Sequence, residues 1–196
     1  MGRKVCNGDP ENYYFINMKF IQTSIIGAYR IELEKKVDDR GFFARTWDSN
    51  EFKKRGLSAK FVQASMSSTN KSGTLRGMHF QKPPHAENKL IRVTRGIMYD
   101  VMIDLREHSQ TYMQWFGTEL SDTNRLSLYI PEGIAHGFIT LSDNVELHYF
   151  MTAYYEPEAQ SGVRYDDPAF NIKWPIEVAK ISKKDASYPD FRRDSV

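Results

Sequence analysis

Two stretches of the chain combine residue types that could do chemistry. Gly73-Thr74-Leu75-Arg76-Gly77-Met78-His79-Phe80-Gln81 is answered about sixty residues later by Ile130-Pro131-Glu132-Gly133-Ile134-Ala135-His136-Gly137-Phe138. Each sets a histidine close to glycines within strand-like sequence. Glycine weakens a strand unless the backbone must turn or pass close to something there. Imidazole is the side chain that exchanges protons most readily near neutral pH, and it is also a common metal ligand. The pairing predicts a polar pocket inside a β-barrel, a setting suited to sugar chemistry. His79, flanked by Met78 and Phe80, is either a satisfied core histidine or a base facing a cavity, and His136 carries the same two readings.

Metal binding is the first chemistry to test. Pro131-x-Gly133-x-x-His136 resembles the second metal motif of jelly-roll proteins of the cupin type. The first motif is broken, because Gln81 stands where a second histidine would follow His79. A divalent cation wants three or four close nitrogen and carboxylate ligands. His79 and His136 do not suffice, and His85 and Glu87 lie in a proline-turned loop of doubtful reach. The expectation is a site without a metal.

The elements that must hold these residues are strands. Ile97, Tyr99, Val101, Ile103 and Leu105 fall on one face of a period-two pattern, opposite Met98, Asp100, Met102 and Asp104. Val145, Leu147, Tyr149 and Met151 repeat it, opposite Glu146 and His148. Turn signals such as Asp39-Arg40-Gly41, Arg95-Gly96 and Ser142-Asp143-Asn144 interrupt the chain every ten to twenty residues. Short strands at that spacing predict an all-β sandwich or jelly roll rather than βαβ units. One short helix is predicted over Ser49–Arg55, with Ser49 as its cap. Residues 1–20 read as an N-terminal extension with a turn at Asn7-Gly8-Asp9-Pro10 and an aromatic patch at Tyr13-Tyr14-Phe15, and 21–196 as one domain. The tail from Pro168 onward is expected to wrap the surface as loops and short helices.

Composition excludes several function classes. The 27 basic and 25 acidic residues are scattered, leaving a net charge of +2 and no basic stripe, so nucleic acid is not an expected partner. The single cysteine, Cys6, cannot close an internal disulfide. No apolar run approaches the roughly 18 residues of a membrane span, and the first twenty residues lack a signal-peptide core. A soluble cytoplasmic protein is the expectation, with no membrane partner.

Several motifs in order carry a resemblance to a known family. They are Asp39-Arg40-Gly41-Phe42-Phe43, Phe61-Val62-Gln63, Leu75 to Gln81, Lys89-Leu90-Ile91-Arg92-Val93 and Gly96 to Asp104, then Gln114-Trp115 and Tyr129 to Phe138. Tyr154-Tyr155, Asp166-Asp167-Pro168, Trp174-Pro175 and Ile181-Ser182-Lys183-Lys184-Asp185 complete the set, so that roughly residues 25 to 190 are covered. The chain resembles the dTDP-4-dehydrorhamnose 3,5-epimerase family, metal-independent cupins that act on nucleotide-linked 4-keto-6-deoxysugars. The resemblance implies an all-β cupin-type jelly roll with a few short peripheral helices, no cofactor, a nucleotide-diphosphate sugar as substrate, and a homodimer, commonly with an N-terminal strand exchanged between subunits.

Residue roles follow by the same route. Epimerisation beside a ketone needs a base for the α proton, an electrophile for the enolate oxygen and an acid on the opposite face. His79 matches the family's base, Asp185 its orienting carboxylate, Lys89 the lysine on the C4 oxygen and Tyr149 the proton donor across the pocket. Arg76, His136, Arg40, Gln63 and Gln81 match substrate-binding positions.

Two departures stand out. Ala64-Ser65 replaces a common Asp-Asn pair, and Arg45 stands where many members carry glutamate; both regions are expected to line the nucleotide or sugar side of the cleft. They leave the nucleotide open among dTDP, CDP and GDP, and leave open whether C3, C5 or both are inverted. A keto-isomerase of the same fold and a non-catalytic sugar-nucleotide binder are the alternatives.

Overall fold

The computed structural model describes residues 17–192; Cys6, the turn at Asn7-Gly8-Asp9-Pro10 and the aromatic patch at Tyr13-Tyr14-Phe15 lie outside that range. Two antiparallel sheets face each other. The first contains β1 (Met18–Gln22), β2 (Tyr29–Leu33), β10 (Ser127–Ile130), β7 (Lys89–Arg95), β12 (Val145–Met151) and β5 (Gln63–Thr69), in that spatial order. The second runs β13 (Gln160–Gly162), β6 (Leu75–Gln81), β11 (Ile134–Thr140), β8 (Ile97–Asp104) and β9 (Trp115–Ser121). A separate hairpin joins β3 (Lys36–Asp38) to β4 (Gly41–Phe43). This is a cupin-type jelly roll, as the turn spacing and the resemblance predict. The expected boundary at residue 20 falls inside β1, whose residues pair with β2 from Met18 to Gln22, so the sheet begins before it.

Strand alternation explains the layers. Ile91 and Val93 from β7 and Val145 and Leu147 from β12 meet Met98, Met102, Ile134 and Phe138 of the opposite sheet in a dry interior. The other parity of β8 is buried as well. Val101 and Ile103 pack beneath Val163, Phe170, Ile172 and Trp174, because the C-terminal tail lies over the second sheet's outer face. On the first sheet, Ile31, Leu90 and Tyr129 are covered by Phe52 from helix α1 (Ser49–Lys53). The cap of α1 is Asp48 rather than Ser49: its carboxylate accepts from the Asn50 and Glu51 backbone N–H groups, which a charged acceptor at a helix N-terminus does well.

The two conspicuous strand glycines have a shared cause. Gly77 on β6 adopts φ +131°, and a Cβ there would lie 2.4 Å from the Gly137 Cα on β11. A Cβ on Gly137 would in turn meet the Met78 sulfur at 2.6 Å. The strands that carry the histidines therefore approach too closely for any side chain at these two positions.

Candidate active site

A cavity of about 630 Å³ opens at the end of the sandwich where the inward residues turn polar. Its size suits a nucleotide-sized ligand. Inner positions of β6, β11, β7, β12 and β5 supply His79, His136, Lys89, Tyr149 and Gln63 to its wall. Asp185 enters from helix α2 (Lys183–Ala186), which Ser182 caps by accepting from the Asp185 N–H at 3.0 Å.

His79 and His136 are cross-strand partners. Each is bonded to its own carboxylate: His79 Nε2 lies 2.8 Å from Asp185 Oδ1, and His136 Nε2 lies 2.7 Å from Asp100 Oδ2. Asp185 Oδ2 also accepts from the Gly77 N–H at 3.3 Å. Burial works to raise the Asp185 carboxyl, but the bonds from His79, Gly77 and Ser182 and the attraction of the His79 charge outweigh it and hold it below its usual range. Asp100 differs. It is wholly inside the sheet, its Oδ1 has no partner among the described residues, and burial pushes its carboxyl up against the opposing pull of His136 and Lys89. Among the described residues no three histidine, cysteine, aspartate or glutamate side chains converge to hold a metal.

Lys89, the first residue of β7, turns its ammonium into the cavity and pairs with Glu87 at 3.1 Å. Glu87 therefore reaches the site, although its loop position argued for doubtful reach. Tyr149 sits opposite Ser65 on β5 and shares its inward face with Val145 and Leu147, as its periodicity predicts. Its hydroxyl makes no hydrogen bond among the described residues.

The remaining expectations divide. Arg76 lies at the cavity mouth, its Nε donating to Thr69 Oγ1 at 3.0 Å and its Nη2 to the Ser68 carbonyl at 3.4 Å, so the guanidinium is aimed while the residue stays exposed. Gln63 lines the wall, and its Oε1 accepts from the Tyr155 N–H, fixing the backbone of the rim. Gln81 also lines the wall, yet both amide hydrogens are engaged, donating to the His85 and Tyr154 carbonyls, while Oε1 accepts from the Glu156 N–H. It holds two loops together and has no N–H left for a ligand. Arg40 is not brought into this cavity: it sits at the tip of the β3–β4 hairpin, bonded to Asp38. Of the two departures, Ser65 lines the cavity, Ala64 pairs with Phe150 on the opposite parity, and Arg45 bonds Asp48 beside α1 instead of facing the cleft.

Sequence reasoning missed several residues of the wall. Glu87 and Lys180 were unassigned; so was Asp100, which is wholly buried and meets the cavity only through His136, and so was Tyr155, whose ring stands exposed at the rim with its hydroxyl donating to Gln160. Tyr155 fell within a matched motif, the one signal that pointed to it.

An imidazole bonded to a carboxylate, an ammonium and a phenol share one cavity in a jelly roll, the set of groups that an isomerase working by proton transfer needs. Residues 22–193 match the family model for dTDP-4-dehydrorhamnose 3,5-epimerase. A relative of that name from Methanothermobacter thermautotrophicus is 44% identical over 181 residues, which is 91% of this chain and 97% of the relative. The dTDP-4-dehydrorhamnose 3,5-epimerase of Bacillus anthracis str. Ames, solved with TDP and PPi bound, superposes with a TM-score of 0.86 at 39% identity over 89% of this chain and 100% of that one. The Legionella pneumophila dTDP-6-deoxy-D-glucose-3,5-epimerase, in complex with dTDP-4-keto-L-rhamnose, gives 0.82 at 36% identity over 88% and 92%. The chain belongs to the dTDP-4-dehydrorhamnose 3,5-epimerase family.

Proposed function

We propose that the protein inverts C3 and C5 of a dTDP-linked 4-keto-6-deoxyhexose through an enolate, working as a cytoplasmic homodimer. The observation that carries this reading is the His79–Asp185 bond of 2.8 Å in a cavity shared with Lys89 and Tyr149. With Nε2 committed to Asp185, His79 takes the carbon-bound proton on Nδ1. The C–H electron pair moves into the enolate, whose charge collects on the C4 oxygen beside the Lys89 ammonium. Tyr149 returns a proton to the opposite face of the same carbon. Solvent then takes the proton from His79 and restores that of Tyr149, so each inversion exchanges one carbon-bound hydrogen and consumes nothing.

The rest of the cavity suits the remainder of the substrate. His136, its Nε2 held by Asp100, offers Nδ1 to accept from a sugar hydroxyl, Arg76 and Lys180 supply positive charge for a diphosphate, and the exposed Tyr155 ring offers a face for a nucleobase to stack on. The exposed Val37, Phe42 and Phe43 of the hairpin and Met66 on β5 form apolar surface that a second copy would cover. Arg40, outside the cavity of its own chain, would serve the diphosphate from the partner subunit. No helix among the described residues is long and apolar enough to cross a membrane.

The test is incubation in heavy water with 4-keto-6-deoxyglucose linked to dTDP, CDP or GDP, followed by NMR. Deuterium at both C3 and C5 with the dTDP sugar is the expected result. Incorporation at one carbon alone would reduce the reading to a mono-epimerase, and transfer of the keto group without inversion would replace it with a keto-isomerase.

A further inference from the structure

Within the cavity, every basic side chain near the sugar end has a carboxylate of its own. His79 is bonded to Asp185, His136 to Asp100 and Lys89 to Glu87. The first two acids belong to regular elements, whereas Glu87 comes from the loop between β6 and β7. We propose that Glu87 is a positioning residue: it holds the Lys89 ammonium where the C4 oxyanion will develop and keeps that ammonium from collapsing onto Asp100. The inference rests on the enolate chemistry above and adds a residue to which no role was assigned.

Three features support it. Side-chain exposures of 16% for Lys89 and 11% for Glu87 make this a sheltered pair, unlike the surface pairs that dominate the chain. The Glu87 carboxylate is presented by a pinned loop. Gln81 grips the His85 carbonyl at 2.9 Å, and Asn88 is tied to Thr152 through its N–H at 2.8 Å and to the Tyr129 hydroxyl at 2.9 Å. Glu87 lies between these anchors, so its carboxylate is a fixed point for a lysine whose four-carbon stem is otherwise free to rotate. Finally, Asp100 lies within electrostatic reach of Lys89 and has an unbonded Oδ1. A released ammonium would be drawn toward that carboxylate and away from the C4 oxygen. One bond to Glu87 prevents this and leaves the other ammonium hydrogens for substrate.

Glu87→Gln keeps an acceptor at the same reach, whereas Glu87→Ala removes it. Turnover of the dTDP-4-keto-6-deoxy sugar is expected to change no more than about threefold in Glu87→Gln and to fall about thirtyfold in Glu87→Ala. KM should be unchanged in both, since the diphosphate is held elsewhere. A rise in KM at constant kcat, or a glutamine variant as poor as the alanine one, would overturn the proposal. A second readout is independent of turnover: the rate at which an amine-reactive ester acylates Lys89 in the folded protein, followed by peptide mass spectrometry. Acylation at least tenfold faster in Glu87→Ala than in wild type is expected, with the glutamine variant between them. Equal rates would refute the positioning role even if epimerisation proceeds. Faster acylation in a protein that exchanges no hydrogen with any keto sugar would instead sink the enolate reading and leave the Lys89–Glu87 contact standing.

Discussion

The His79–Asp185 and His136–Asp100 pairs lie side by side in one cavity and are built on different plans. In the first, the imidazole is 30% exposed and its carboxylate comes from a short helix 106 residues away, where it has backbone and side-chain donors around it. In the second, exposures are 9% and 0%, the partners sit on adjacent strands, and one carboxylate oxygen is left without a donor. A group that must pass protons to carbon and then to solvent needs access and a partner that remains a carboxylate throughout. A group that holds a sugar oxygen needs one orientation and no exchange. The half-open pair has the first character and the buried pair the second, so rate should depend on one and structural integrity on the other.

The largest expected effect is at His79. Replacing it with asparagine should abolish deuterium incorporation at both C3 and C5, a loss on the order of a thousandfold or more. Incorporation that survives at either carbon would mean that His136 serves as a second base and would erase the distinction between the pairs.

Asp185→Asn comes next, with a fall in kcat on the order of a hundredfold, because an amide neither fixes the tautomer nor stabilises the imidazolium. Its pH behaviour is equally diagnostic. The folded-state carboxyl is held below its ordinary value of 3.8, so the stability it contributes is full above that value and is lost as pH falls through the lowered one. Acid unfolding of the wild type should therefore set in below about pH 4 with a component that Asp185→Asn lacks. Superimposable acid-unfolding curves would remove Asp185 as an ionised partner of His79.

Tyr149→Phe separates the two faces of the sugar. Exchange at the α carbons should persist while inversion slows on the order of a hundredfold, since removal of the hydrogen needs only His79 and its return from the far side needs the phenol. Loss of both in parallel would place Tyr149 among the binding groups instead.

The contrast between the pairs also explains what could be read from residue order. The β8 and β12 alternation was legible because sandwich burial imposes a period of two, and the inward aim of Tyr149 followed from it. Gly77 and Gly137 were legible as anomalies, although only the crossing of β6 and β11 gives their cause. Asp185 had no local signal: a solvated aspartate after two lysines looks the same, and only resemblance joined it to His79. Asp100 was hidden by the tail, which buries the outer parity of β8 and so removes the usual cue that a polar residue between apolar ones faces water. Arg40 was matched by motif and Arg45 was read as a departure at a cleft-lining position, but a motif fixes order along the chain and not which side chains face the cleft.

Within the two pairs the smallest catalytic effect should belong to Asp100, and it supplies the sharpest test of the comparison. Asp100→Ala leaves the His136 Nε2–H buried without an acceptor, which costs about 2 kcal/mol of stability and, for a chain of this length, lowers Tm by about 6 °C. Its effect on kcat should be no more than about tenfold, because His136 orients the substrate and moves no proton. Asp185→Ala should show the reverse, a deep loss of kcat with a smaller shift in Tm, since its freed histidine can bond water. The two variants are best measured together, Tm by calorimetry and exchange by NMR. If Asp100→Ala lost activity as deeply as Asp185→Ala at unchanged Tm, both histidines would be proton carriers, and each could then serve one of the two carbons.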